Sequence, residues 1–161
     1  MPPKHDFRIG VISDTHGLLR PEAVAALRES DLILHAGDIG ASNIIPALQE
    51  IAPVIAIRGN IDEKFDWAAQ FPETEIADAA GSQLYMLHSL DELDLNPSAA
   101  GFVAIIFGHS HKPAFYFKNQ VLYFNPGSAG PRRFSLPISV GKITVHNGEL
   151  MPELITLEVK K

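Results

Sequence analysis

Phe7–Gly17 reads FRIGVISDTHG. Its first part is rich in β-branched and apolar residues, too short for a stable helix, and predicts a buried strand over Phe7–Ser13. The strand runs directly into Ser13-Asp14-Thr15-His16-Gly17, where hydroxyl, carboxylate and imidazole groups precede a glycine. The same plan returns twice downstream. Leu32–His35 leads to Gly37-Asp38, and Val54–Ile57 leads to Gly59-Asn60. Between these strands Pro21 opens a helix to about Ser30, because its missing N–H is not needed in a first turn. Ser42 is the expected cap of a second helix, in which Ile44, Leu48 and Ile51 share one face. Strand–helix–strand–helix–strand order predicts parallel pairing with right-handed crossovers.

Farther along, strands are expected at Glu75–Ala79, Leu84–Leu87, Phe102–Phe107, Ala114–Phe117, Val121–Phe124, Ile138–His146 and Glu153–Val159. Asn119–Gln120 reads as a tight turn, and Asn147–Gly148 as a stronger hairpin signal, because both residues tolerate positive φ. So many strands exceed one small sheet. The expected fold is α/β (α+β), with two packed sheets and helices on their outer faces.

The 161 residues suit a single domain spanning 1–161, with 46% apolar and 20% charged residues giving an ordinary globular balance. No apolar run spans a bilayer and the start lacks the apolar core of a secretion signal, so a cytoplasmic protein is the expectation. The absence of cysteine excludes disulfides, iron–sulfur clusters and thiolate zinc sites. A formal net charge of −6 disfavours a duplex-binding role. It leaves room for a small phosphate ester, since bound cations would invert the local field. A serine-hydrolase elbow, a Walker loop, a dinucleotide fingerprint and a His-Glu-x-x-His helix are all missing.

Two further segments complete a set: His88-Ser89 and Gly108-His109-Ser110-His111, each just after an expected strand. Strand ends gather distant residues at one rim of a sheet. Carboxylate, imidazole and amide oxygen are ligands for Mn, Fe, Co, Ni or Zn. One aspartate can bridge two ions through its two oxygens. Two ions about 3.5–4 Å apart clamp the attacking and leaving oxygens of a displacement and lower the pKa of water, from 15.7 toward roughly 7 at a single zinc.

In order and spacing this set resembles the calcineurin-like metallophosphoesterase superfamily, closest to its small YfcE/MJ0936-like phosphodiesterase branch. The resemblance runs from Asp14 to about Arg132. It implies a four-layer αββα sandwich of two mixed sheets. It implies that Asp14, His16 and His111 hold one divalent ion, that Asp38 bridges, and that Asn60, His88 and His109 complete a second. Manganese is the first choice, with nickel, iron, cobalt or zinc as alternatives. Asp38, Asn60 and Asp62 are the implied catalytic group. Many members carry a histidine after Gly-Asn that assists the leaving group; here the chain reads Gly59-Asn60-Ile61-Asp62.

Asn125-Pro126-Gly127-Ser128 resembles a loop near the family's active site, and is equally the chemistry of an ordinary turn. Asn125, Asn60 and Arg132 are candidate substrate contacts. Arg132, Arg133 and Arg58 read either as phosphate binders or as solvated charges. His35, inside its strand, reads as a structural histidine or a partner of a ligand; His5 and His146 read as solvent-facing. Phe65, Trp67 and Phe71 read as core packing or an oligomer contact rather than a substrate wall. The expected function is two-metal hydrolysis of a phosphoester, more specifically a small phosphodiester. A homo-oligomer is compatible with it; a membrane or nucleic-acid partner is not expected. Two alternatives remain: a protein-interaction scaffold, as in a retromer subunit of this fold, and a nuclease or protein phosphatase of the same superfamily. A scaffold predicts eroded ligand positions, whereas here every one is filled.

Overall fold

The computed structural model describes residues 6–159. His5 lies outside them. Ten strands follow one another: β1 (Phe7–Ile12), β2 (Leu32–His35), β3 (Val54–Ala56), β4 (Thr74–Ala79), β5 (Ser82–Leu87), β6 (Ala104–Ile106), β7 (Ala114–Lys118), β8 (Val121–Asn125), β9 (Ser139–His146) and β10 (Glu149–Thr156). They form two mixed five-stranded sheets, ordered β10-β9-β1-β2-β3 and β4-β5-β6-β8-β7.

Alternation along the strands builds the layers, because successive side chains point to opposite faces. Ile9, Val11, Leu32 and Leu34 of the first sheet meet Leu84, Met86, Ile106 and Phe124 of the second in one buried core. The other faces of β1 and β2 turn Ile12 and Ile33 toward α1 (Pro21–Ala26) and α2 (Ile44–Gln49), where Ala23, Leu27, Ile44 and Leu48 cover them. On the outside of the second sheet, Ile105, Phe107 and Tyr123 are covered by Leu90 and Leu93. This fourth layer is thin: a 3₁₀ turn at Leu90–Glu92 and the single-turn α3 (Pro97–Ala100).

Several expected elements differ in detail, among them β6, which is confined to Ala104–Ile106, and β5, which begins at Ser82. The first helix stops at Ala26 rather than Ser30, because the following amides tighten onto i−3 carbonyls, Arg28 N–H to Ala25 and Ser30 N–H to Leu27. Asn43, not Ser42, precedes the second helix, and its side chain makes no capping bond. The last strand begins at Glu149, not Glu153. The Asn147–Gly148 turn, with φ of 49° and 80°, pairs Glu149 with His146 at once. Pro152 is tolerated there because β10 is an edge strand.

Register sets the site. Ile12 pairs with His35 and His35 with Ala56, so the loops after β1, β2 and β3 leave side by side. In the second sheet Met86 pairs with Ile106 and Ile106 with Phe124, which aligns the loops after β5, β6 and β8. No helix among the described residues is long and apolar enough to cross a membrane.

Candidate metal centre

Backbone bonds lace the loops together before any side chain acts. Asp14 N–H donates to Gly37 O and His16 N–H to Asp38 O, each at 3.0 Å. Gly108 N–H donates to His88 O at 3.0 Å and Ala129 N–H to Ser13 O at 3.1 Å. The turns are tight. Asp14, His16, Asp38, His109 and His111 all have left-handed backbone, with φ of 54°, 46°, 55°, 73° and 64°. For a non-glycine residue that conformation costs roughly 1–2 kcal/mol, and such outliers cluster where function demands a geometry. Two glycines permit the crowding. A Cβ on Gly59 would lie 2.1 Å from Asp38 Oδ1, and one on Gly108 would lie 2.6 Å from Asp14 Oδ2.

Asp14, His16 and His111 converge so that one potential ligand atom from each lies within 4.8 Å of the others; Asp38, His88 and His109 do the same. The clusters adjoin. Asp38 Oδ2 is 3.6 Å from His16 Nε2 and 3.1 Å from His88 Nε2, so one carboxylate oxygen faces both. Asp14 Oδ1 lies 3.4 Å from His111 Nε2 and 3.8 Å from His88 Nε2. Each aspartate has one oxygen tied to protein and the other turned inward. Asp14 Oδ2 accepts from Ser13 Oγ at 2.7 Å and His109 N–H at 3.1 Å, and Asp38 Oδ1 accepts from Ile61 N–H at 3.1 Å.

Asp14 Oδ1, His16 Nε2, His88 Nε2 and His111 Nδ1 are buried without a hydrogen-bond partner. An unsatisfied buried polar atom costs about 1–3 kcal/mol. A cation among these groups would satisfy several at once, and carboxylate with imidazole is the donor set of first-row divalent metals. The residues fit the ions that the sequence implies. His88 Nδ1 bonds Ala36 O at 2.7 Å, the orientation that turns Nε2 toward a ligand.

The charges follow from this crowding. Burial alone would raise the Asp14 pKa, but the close imidazoles of His111 and His16, the charge of His88 and the Ser13 hydroxyl hold it well below the usual carboxylate range. Burial lowers His88, but the adjoining Asp38 and the charge of Asp14 outweigh it and raise its pKa to about 9. Burial pushes His35 down to about 4. Its tautomer follows from its partners. Thr15 Oγ1 donates its one proton to Ile39 O at 2.8 Å, so His35 Nε2–H must donate to Thr15 at 3.0 Å. Gly37 N–H donates to Nδ1 at 3.1 Å. His35 is thus a neutral brace between the Asp14 and Asp38 loops.

Asn60 is exposed on a cleft wall shared with His88 and His109. Arg132 and Arg133 are exposed on another cleft, lined also by His16, His111 and Pro131. Asp62, expected in the catalytic group, and Asn125, expected as a substrate contact, both make anchoring bonds to backbone. Asp62 is fully buried, and its carboxylate accepts from Ile39, Gly40 and Gly59 N–H groups at 2.9–3.0 Å. It joins the loops after β2 and β3 and does not reach the cleft. Asn125 is buried too. It donates to Gly108 O and Ser110 Oγ at 3.1 Å and accepts from Gly127 N–H at 2.8 Å, pinning the Gly108–His111 loop.

Arg58 donates to Phe71 O at 2.6 Å and pairs with Glu73 at 3.4 Å, so it braces a wall. Trp67 and Phe71 pack on the helix-side core, and His146 is exposed beside Asp6. The sequence reading missed the roles of Ser13 and Ser128, whose hydroxyls bond Asp14 Oδ2 and Asp14 O, and the acidic wall of Glu63, Glu73 and Glu92. The serines adjoin or precede motif glycines, a signal of sorts. The glutamates come from three separate segments and carry none.

The family model for the calcineurin-like phosphoesterase superfamily domain matches residues 7–148. A probable metallophosphoesterase of Methanothermobacter thermautotrophicus is 31% identical, with 91% of each chain covered. The phosphodiesterase YfcE of Escherichia coli K12 is 26% identical, covering 81% of this chain and 84% of its own. Among solved structures, Vacuolar Protein Sorting 29 from Cryptosporidium parvum superposes with a TM-score of 0.74 at 16% identity, covering 94% of this chain and 97% of its own. That likeness is one of fold.

Proposed function

The chain belongs to the calcineurin-like phosphoesterase superfamily, and from that premise we propose that it hydrolyses a small phosphodiester using two divalent ions, with manganese the first choice. Asp14, His16 and His111 would hold one ion, His88, His109 and Asn60 the other, and Asp38 would serve both. When bound, such ions supply Lewis acidity toward phosphoryl oxygens and ready deprotonation of water near neutral pH.

The chain's own groups do the positioning. Ser13 Oγ and His109 N–H hold Asp14, and Ile61 N–H holds Asp38. Asp62 and His35 fix the loops that carry Asp38 and Asp14. Asn60 and Arg132, each on a cleft beside one cluster, are the proposed substrate contacts. Asp62 and Asn125 act through the backbone they hold.

The observation that carries this reading is the convergence of Asp14 Oδ1, His16 Nε2 and His88 Nε2, buried and unpartnered, on shared space. A protein kept only as a scaffold would have no reason to retain that unfavourable arrangement. The test is hydrolysis of bis(p-nitrophenyl) phosphate and p-nitrophenyl phosphate by protein reconstituted with Mn, Ni, Co or Zn. Faster turnover of the diester is expected. Protein that binds two equivalents of metal yet cleaves neither ester would return the scaffold reading to first place.

A further inference from the structure

The two clefts beside the ligand clusters differ in charge. The cleft on the His88–His109 side carries Glu63, Glu73 and Glu92, with Arg58 already engaged by Glu73. The cleft on the His16–His111 side, about 300 Å³, carries Arg132 and Arg133 and no carboxylate. Among the described residues neither arginine has an acidic partner within 4.0 Å. Two adjacent free guanidinium groups stand out in a chain of net charge −6.

Their placement is built, not incidental. Ser128 Oγ donates to Asp14 O at 3.0 Å, and Ala129 N–H to Ser13 O at 3.1 Å. Gly130 packs so closely on this loop that a Cβ there would lie 2.2 Å from Thr15 O. Arg20 donates from Nε and a terminal nitrogen to Gly130 O, both at 3.3 Å. The segment is therefore fastened to the loop that bears Asp14 and His16 before it delivers Arg132. Leu136 N–H then closes a turn onto Arg133 O at 3.2 Å. Both arginines line the cleft.

We infer that the substrate is a phosphodiester with one anionic arm, ending in a second phosphate or a carboxylate, which Arg132 and Arg133 hold. This rests on the hydrolytic reading above. Guanidinium groups match such oxyanions bidentately. The glutamate wall repels an anion, so the arm has one favourable direction.

The test compares two manganese-dependent substrates of equal size: p-nitrophenyl phosphodiesters whose other arm ends in a carboxylate or in the isosteric carboxamide. The wild type should favour the carboxylate by about tenfold in kcat/KM, a modest value for charge-assisted bonds at an exposed site, and 0.5 M salt should shrink the preference. In Arg132→Gln/Arg133→Gln the ratio should fall to about one, and Arg132→Lys/Arg133→Lys should restore part of it. A wild-type ratio near one, or a ratio that survives the double glutamine variant, overturns the inference. Hydrolysis of neither ester sinks the catalytic reading alone. Calorimetry on manganese-loaded protein then decides the arginine site. Propane-1,3-bisphosphonate should bind about tenfold tighter than propylphosphonate in the wild type and equally in the double glutamine variant. Equal affinities in the wild type overturn it.

Discussion

Replacing His109 with glycine should stabilise the metal-free protein and destabilise the metal-loaded one. His109 sits at φ 73°, where a Cβ crowds the following carbonyl at a cost of roughly 1–2 kcal/mol. Glycine removes that cost but gives the unfolded chain more freedom, which offsets roughly 0.5–1 kcal/mol. Little else changes. The His109 N–H bond to Asp14 Oδ2 survives in glycine, and the exposed imidazole meets the His88 ring edge-on at 5.2 Å between centroids. A net gain of up to about 1.5 kcal/mol remains, which raises Tm by at most roughly 3–6 °C for a domain of this size. Manganese reverses the order. A site filled at a hundredfold excess over its Kd adds about 2.7 kcal/mol, and the variant loses much of that contribution at the second ion. Thermal unfolding of both proteins, in chelator and in excess manganese, reads both signs. A variant that melts lower in chelator would refute the strain argument; an equal manganese shift in both would remove His109 from the ligand set.

Four other outcomes are expected. Asp38→Ala should lower phosphodiester turnover by more than the 10–100-fold typical of losing a mere partner of a ligand, whereas His146→Ala should stay within about twofold; equal losses would contradict the assignment. Because His88 titrates at about 9 without metal, a proton must leave it when an ion binds. Apparent metal affinity should therefore rise about tenfold per pH unit between pH 7 and 8, as measured by calorimetry in buffers of different ionisation enthalpy; a flat profile would argue against His88 as a ligand. Gly59→Ala would put a Cβ 2.1 Å from Asp38 Oδ1, so stability should fall by about 1–3 kcal/mol and metal stoichiometry should drop. Ile61 has no proton to give a leaving alkoxide, and such help is typically worth 10²–10⁴-fold. Nitrophenyl esters should thus react much faster than alkyl esters of equal size, and Ile61→His should narrow the gap; a shallow leaving-group dependence in the wild type would show that another group already assists.

The strand–loop plan was legible because its physics is local. Apolar runs of strand length ending in Gly-Asp, Gly-Asn or Gly-His mark both the sheet and its rim, and the parallel register of β1, β2 and β3 then brings the loops together. The bonding of Asp62 and Asn125 was not legible for an equally physical reason. A carboxylate or amide beside a motif residue has the same composition whether it faces substrate or backbone. Only the fold shows that Asp62 spends its oxygens on three N–H groups and Asn125 its amide on the Gly108 loop. This also bears on Ile61→His: a new imidazole could not borrow Asp62 as its orienting partner, so the gain should stay well short of full general-acid assistance. The opposed charge of the two clefts was invisible for a third reason, since Glu63, Glu73 and Glu92 meet only across three chain segments.

The strain and the unpartnered atoms are two sides of one arrangement. Left-handed backbone at Asp14, His16, Asp38, His109 and His111 swings their side chains inward over short, laced loops. Relaxed turns would let those side chains find water or neighbours. The loops instead hold Asp14 Oδ1 and His88 Nε2 apart from any hydrogen bond. Both costs fall on the metal-free state, and a bound cation offsets the second without touching the first. Metal binding and folding are therefore coupled at this rim. Disturbing a loop should weaken metal affinity even where every ligand side chain is kept, which Gly59→Ala tests, whereas His109→Gly relieves strain and removes a ligand at once.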